Sequence, residues 1–213
     1  MKLYILSVLL FFNFLHSKKI EGYYIKKNNE KVTTFFNVPV NLSEEINFQA
    51  MTFSIKYFDE NDKKQKLDLS NVKELGFEYL GKKVVLKCFL NTAELGGLDF
   101  GDKKYVLLKP IREDVIGVYY FSTEMTTPGF MNGPGGHMMG STYHFEAEVL
   151  VKFDGQMVQP GIGLFKRKMK DFFSDCPELV KKIDDKVYKR QHIKEMILFY
   201  KQKCVASEVE KEK

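Results

Sequence analysis

The hydrophobic period changes once along this 213-residue chain, and that change constrains the fold more than any other feature. Up to about residue 153, apolar residues alternate in short runs broken by polar turns, the mark of half-buried strands. Beyond Gly163 they recur every three or four residues, the mark of amphipathic helices. Strands first and helices afterwards predict an α+β chain. An antiparallel β-rich body over residues 18–163, a meander, sandwich or barrel-like form, is followed by a short helical block over 164–204 and a frayed tail over 205–213.

The strands read as hairpins. Gly22-Tyr23-Tyr24-Ile25 and Val32-Thr33-Thr34-Phe35-Phe36 flank a polar turn over 26–30. Residues 51–58 (MTFSIKYF) place Met51, Phe53, Ile55 and Tyr57 on one face, then turn at 59–62 and return over 64–69. Further pairs join 75–80 to 84–90 through Gly81-Lys82, and 105–108 to 115–121 across 110–114. Residues 144–153 precede a turn at Asp154-Gly155 and a short run at 157–158. In the helical block Phe165, Met169, Phe172 and Phe173 share a face. Asp175 reads as an N-cap, with Pro177 in the first turn and Glu178 three residues on, for a helix carrying Leu179, Val180 and Ile183. A last helix from about Gln191 carries Ile193, Met196, Ile197 and Tyr200. Helices this short need tertiary packing, so these stripes are assigned to the core.

The N-terminus carries an address. Met1-Lys2 leads into thirteen residues, LYILSVLLFFNFL, and then His16-Ser17-Lys18-Lys19. A charged start, an apolar stretch and a small residue before the expected cut after Ser17 define a signal peptide over residues 1–17. As a helix the apolar run would reach only about 20 Å against a hydrocarbon core of roughly 30 Å, so a permanent anchor is disfavoured. The expected location is therefore exported: periplasmic, attached to the cell envelope, or secreted, with no transmembrane span after cleavage. The net charge of +5 is small and evenly spread, which excludes a nucleic-acid footprint.

Export permits disulfides, and the chain has three cysteines. Cys176 opens one predicted helix and Cys204 ends another, so an antiparallel helix pair could join them, although spacing alone does not fix connectivity. Cys88 alternates with Val84, Leu86 and Leu90 and reads as a buried strand residue.

Three segments together resemble an uncharacterised exported family of Bacteroidetes-type bacteria. They are Gly22-Tyr23-Tyr24-Ile25, residues 70–77 (SNVKELGF), and Phe172-Phe173-Ser174-Asp175-Cys176-Pro177-Glu178-Leu179 with Lys182-Ile183, of which the SDCPEL portion is the most specific. The resemblance implies an envelope or secreted location and a β-rich body with C-terminal helices. It implies no activity and no catalytic residues.

One segment is chemically unusual. Residues 126–142, TTPGFMNGPGGHMMGST, hold five Gly and two Pro and cannot pack a core of their own. The segment reads first as an inert connecting loop; alternatively, Phe130, Met131, His137, Met138 and Met139 would serve there as a lid or partner-binding loop. Met131, His137, Met138 and Met139 with His144 would alternatively offer thioether and imidazole donors suited to copper. The spacing from Gly135 to Gly140 imitates a phosphate loop, but Ser141 stands where the lysine is needed and no helix follows. No zinc, nucleophile-elbow, dithiol or dinucleotide motif occurs. Glu146 and Glu148, about 7 Å apart on one strand face, read as solvated residues rather than an acid–base pair. The expectation is an exported, non-enzymatic protein without a cofactor that binds a protein or other envelope component. A carrier of a small ligand or copper through the Gly/Met/His loop is the alternative.

Overall fold

The computed structural model describes residues 16–92, 104–127, 141–161 and 164–205. Ten strands form one antiparallel sheet: β1 (His16–Lys26), β2 (Lys31–Val40), β3 (Lys56–Phe58), β4 (Lys64–Lys66), β5 (Val72–Tyr79), β6 (Lys82–Leu90), β7 (Tyr105–Arg112), β8 (Ile116–Thr127), β9 (Ser141–Lys152) and β10 (Met157–Val158). Their spatial order is β10-β9-β8-β7-β6-β5-β1-β2-β3-β4. Two meanders, β1–β4 and β5–β10, are thus joined along a single seam between β1 and β5. The body is β-rich and the helices lie mostly at the C-terminal end, as the change of period predicts.

Local chemistry sets the turns. At the tip of β1–β2, Asn29 takes φ 64° and the Asn28 side chain accepts the Glu30 N–H at 3.0 Å. Between β5 and β6, Leu80 (φ 50°) and Gly81 (φ 71°) are both left-handed, the requirement of a two-residue hairpin whose twist matches its strands. That turn falls one residue before the Gly81-Lys82 pair expected. At the seam, Gly22 lies opposite Phe77, and a Cβ there would stand 2.5 Å from the Gly76 carbonyl oxygen and 2.9 Å from the Phe77 Cβ. Only glycine lets these strands approach so closely.

The sheet changes partners within β7. Its first half pairs with β6 and its second with β8, with a register shift at Pro110/Arg112. Helix α1 (Phe48–Met51) fills the corner that opens between β7 and β8. Thr52, which follows it and is buried, accepts the Leu107 N–H at 2.7 Å and donates its hydroxyl to the Ser122 carbonyl at 2.5 Å. Backbone groups left unpaired by the splitting strands are satisfied in this way. This corner corrects the sequence reading of 51–58 as one strand. Asn47 caps α1 by accepting the Ala50 N–H, Met51 and Ile55 enter one core cluster, Phe53 packs on another, and only Lys56–Phe58 pairs. The return is likewise shorter than 64–69: Leu67 and Leu69 leave the sheet and are buried in the same cluster as Leu75, Val84 and Leu86.

Helices α2 (Phe165–Phe172), α3 (Pro177–Asp184) and α4 (Ile193–Phe199), the last continued by a wide turn through Val205, cover one face of β8–β9. The cluster between them unites Ile116, Val118 and Leu150 of the sheet with Met169, Phe172, Phe173, Leu179, Ile183, Met196, Ile197 and Tyr200. The stripes read from the sequence are core, packed on the sheet. Cys176 and Cys204 form a disulfide with Cα atoms 5.7 Å apart, inside this cluster. The expected N-cap is corrected: Cys176 occupies the cap position with no side-chain bond, because the Asp175 carboxylate points to Lys152 and Tyr200 instead.

His16 and Ser17 are the first residues of β1, paired with Val40 and Pro39, so the cut expected after Ser17 falls two residues inside that strand. Residues 1–15 lie outside the described residues. No described helix is long and apolar enough to cross a membrane.

Candidate functional site

The alternation of β8 and β9 places Ile116, Val118, Tyr120 and Ser122 beside Lys152, Leu150, Glu148 and Glu146 on one face. At one end of that face the helices cover Ile116, Val118 and Leu150. Where they run out, a cleft of about 950 Å³ opens over Tyr120, Glu146 and Glu148. Lys168 of α2, with Arg190 and Gln191 at the entry to α4, line its helical wall, and Leu164, Ile193 and Phe145 supply apolar surface. The two glutamates are exposed, as alternation predicts, but they line this cleft rather than an open flank of the sheet. Burial pushes the Tyr120 phenol up from its ordinary range, and its hydrogen bond to the Glu146 carboxylate pushes it further. The cleft therefore offers a neutral hydroxyl and acidic groups from the sheet against basic groups from the helices, with apolar residues also in its lining. Such an arrangement recognises and orients a ligand.

The other end of the same face is closed by a partly buried polar cluster, in which Lys152 is buried and Asp175 reaches solvent. The Lys152 ammonium donates to both Asp175 oxygens at 2.8 and 2.9 Å and sits 5.1 Å from the Phe172 ring centre and 5.3 Å from that of Tyr200. The Tyr200 hydroxyl donates to the same carboxylate at 2.5 Å. Burial pushes Asp175 upward, but the hydrogen bonds from Lys152 and Tyr200 and the Lys152 charge outweigh it and hold the carboxyl below its usual range. No local pattern announces this cluster, since its members lie 23 and 25 residues apart.

A second cavity, about 720 Å³, lies toward the Lys152 end and includes Cys88, Tyr119 and a fully exposed Phe153. Burial pushes the Cys88 thiol up to about 12, and burial followed by the Glu113 charge pushes Tyr119 to about 12. Both are protonated at neutral pH, so this thiol is no nucleophile.

The Gly/Met segment is only partly described. Thr126 pairs with Thr142 and Thr127 with Ser141, so its two ends extend the β8–β9 hairpin instead of belonging to a loop. Phe130, Met131, His137, Met138 and Met139 lie outside the described residues. His144, the remaining candidate ligand, has its Nδ1 2.7–2.9 Å from the Gln49 amide. Among the described residues no group of three or more His, Cys, Asp or Glu is placed to hold a metal. Compared with known protein families, curated proteins and solved structures, the chain finds no match.

Proposed function

We propose that the chain is an exported, non-enzymatic protein of the envelope or secreted space that binds a protein or other envelope component in the cleft beside Tyr120, Glu146 and Glu148. The observation that carries this reading is the cleft itself, with acidic groups on its sheet side, basic groups on its helical side and apolar residues in the same lining. The Cys176–Cys204 bridge supports export, because such bonds persist in oxidising compartments. The apolar leader and the SDCPEL resemblance favour the same location.

Two measurements test it. The intact mass of protein recovered from producing cells is expected to show a chain beginning near Lys18 and short of two hydrogens for the bridge. A full-length, fully reduced chain would overturn export. A photo-cross-linker at position 191 in those cells is expected to give one adduct of defined mass, lost in Glu148→Lys and in Arg190→Glu. An adduct indifferent to both substitutions would remove the cleft from the binding site.

A further inference from the structure

The register of the first meander places its outward residues in rows that cross the strands. One row reads Lys19, Asn37, Lys56, Lys66, and the next reads Glu21, Phe35, Phe58, Lys64, from β1 to β4 in each case. Three strand spacings carry the first row about 14 Å across the sheet. Lys56 and Lys66 are direct cross-strand partners, both exposed, and among the described residues no acid pairs with either. Like charges set opposite each other in this way destabilise a sheet. The contrast on the same sheet is plain: Lys87 is paired with Glu74 at 2.5 Å and Lys19 with Asp62.

The second row supplies rings. Phe35 is 43% exposed, the Lys19 ammonium lies 5.0 Å from its centre and 4.8 Å from that of Phe58, and Lys64 lies 5.6 Å from Phe58. The pattern recurs one step along, where Lys31 stands 4.4 Å from the Tyr23 ring centre. There the surface dips into a shallow cavity of about 510 Å³ that includes Glu21, Tyr23, Lys31, Thr33 and Lys83. Ammonium groups, aromatic rings and a groove thus follow one another over a single sheet face.

We propose that this face binds an acidic polysaccharide. Carboxylates on the polymer neutralise Lys56, Lys64 and Lys66 and remove the repulsion between the opposed pair. Sugar rings rest on Phe35 and Phe58, and sugar hydroxyls donate to Glu21 and meet the Asn37 amide. Glu21 decides against a polyphosphate chain, whose backbone offers it no donor, and the polar Glu21, Asn37 and Thr33 decide against insertion into a lipid surface. The choice of a glycan rests on the exported location proposed above, while the surface itself is separate from the cleft.

The test uses the purified, bridged protein in native gels containing polygalacturonate, with neutral dextran, a single-stranded oligonucleotide and phosphatidylglycerol vesicles as parallel probes. Retardation by polygalacturonate alone is expected, weakening with salt. Lys56→Glu/Lys66→Glu is expected to lower affinity by about tenfold or more, and Phe35→Ala to lower it with the salt dependence unchanged. Lys186→Glu/Lys194→Glu, the same charge change on the helical block, is expected to have no effect. If the two lysines serve only to keep the β3–β4 edge of the sheet charged, which glutamates do as well, the first variant stays monomeric with the glycan affinity of the parent, and the proposal fails. It fails equally if polygalacturonate does not retard the parent, or if the oligonucleotide or vesicles bind as well. None of these outcomes bears on export, which the intact mass settles independently.

Discussion

Lys152 shows how one residue can decide the state of its neighbours. Its side chain is 8% exposed, and Asp175 is its one carboxylate partner in the described structure. Removing that partner leaves a buried ammonium uncompensated, whereas Asp175, 45% exposed, remains reachable by water and contributes less than a fully buried pair. Asp175→Asn is therefore expected to lower stability by about 2 kcal/mol at pH 7, read from urea denaturation. Because the folded carboxyl titrates below its unfolded value, its contribution is complete above the unfolded range near pH 4 and is lost as pH falls through the lower folded value. The gap between parent and variant is expected to narrow as the pH is taken below 4, and a gap constant down to pH 2 would remove the ion pair as its cause. The sequence assigned Asp175 to a helix cap because capping is a local pattern. Its actual partners are distant in sequence, and no periodicity reports them.

Elements were legible wherever their signal was local. Polar turns between alternating runs marked most of the hairpins, and the 3.6-residue stripes marked all three C-terminal helices with their buried sides. Residues 51–58 misled because Met51, Phe53, Ile55 and Tyr57 do alternate, yet a capped helical turn and the corner between β7 and β8 send them to different clusters. The β1–β5 seam was hidden for a different reason: it joins strands separated by three others in sequence, and its trace there is a pair of glycines, Gly22 and Gly76. Gly22→Ala is expected to destabilise by about 2–3 kcal/mol, because the new methyl meets backbone and a buried Cβ rather than the flexible end of a side chain. The thermal midpoint would report it. An unchanged midpoint would mean that the seam is looser than its geometry indicates.

At the scale of the whole molecule, the cleft was the least legible feature, since Tyr120, Glu148, Lys168 and Arg190 come together only when helices and sheet dock. The disulfide was legible as one of several pairings, and the structure selects it. Its ends are 28 residues apart, a loop whose closure entropy corresponds to about 3–4 kcal/mol of stability. Cys176→Ser/Cys204→Ser is expected to lower the thermal midpoint to that of the reduced parent, while Cys88→Ser leaves the reductant response intact. A parent indifferent to reductant would show that the helical block is held by its apolar contacts alone.

The seam has a further consequence in time. A chain that emerges from its N-terminus completes β1–β4 before β5 appears, and domains generally begin to form in that order. During that interval the lysine-bearing β4 guards one edge of the young sheet, but β1, an interior strand in the finished molecule, is an open edge. Only the arrival of β5 closes it. The stretch between β4 and β5 is five residues long and passes through the core by way of Leu67 and Leu69, so the interval is short and the strand that ends it is already tethered in place.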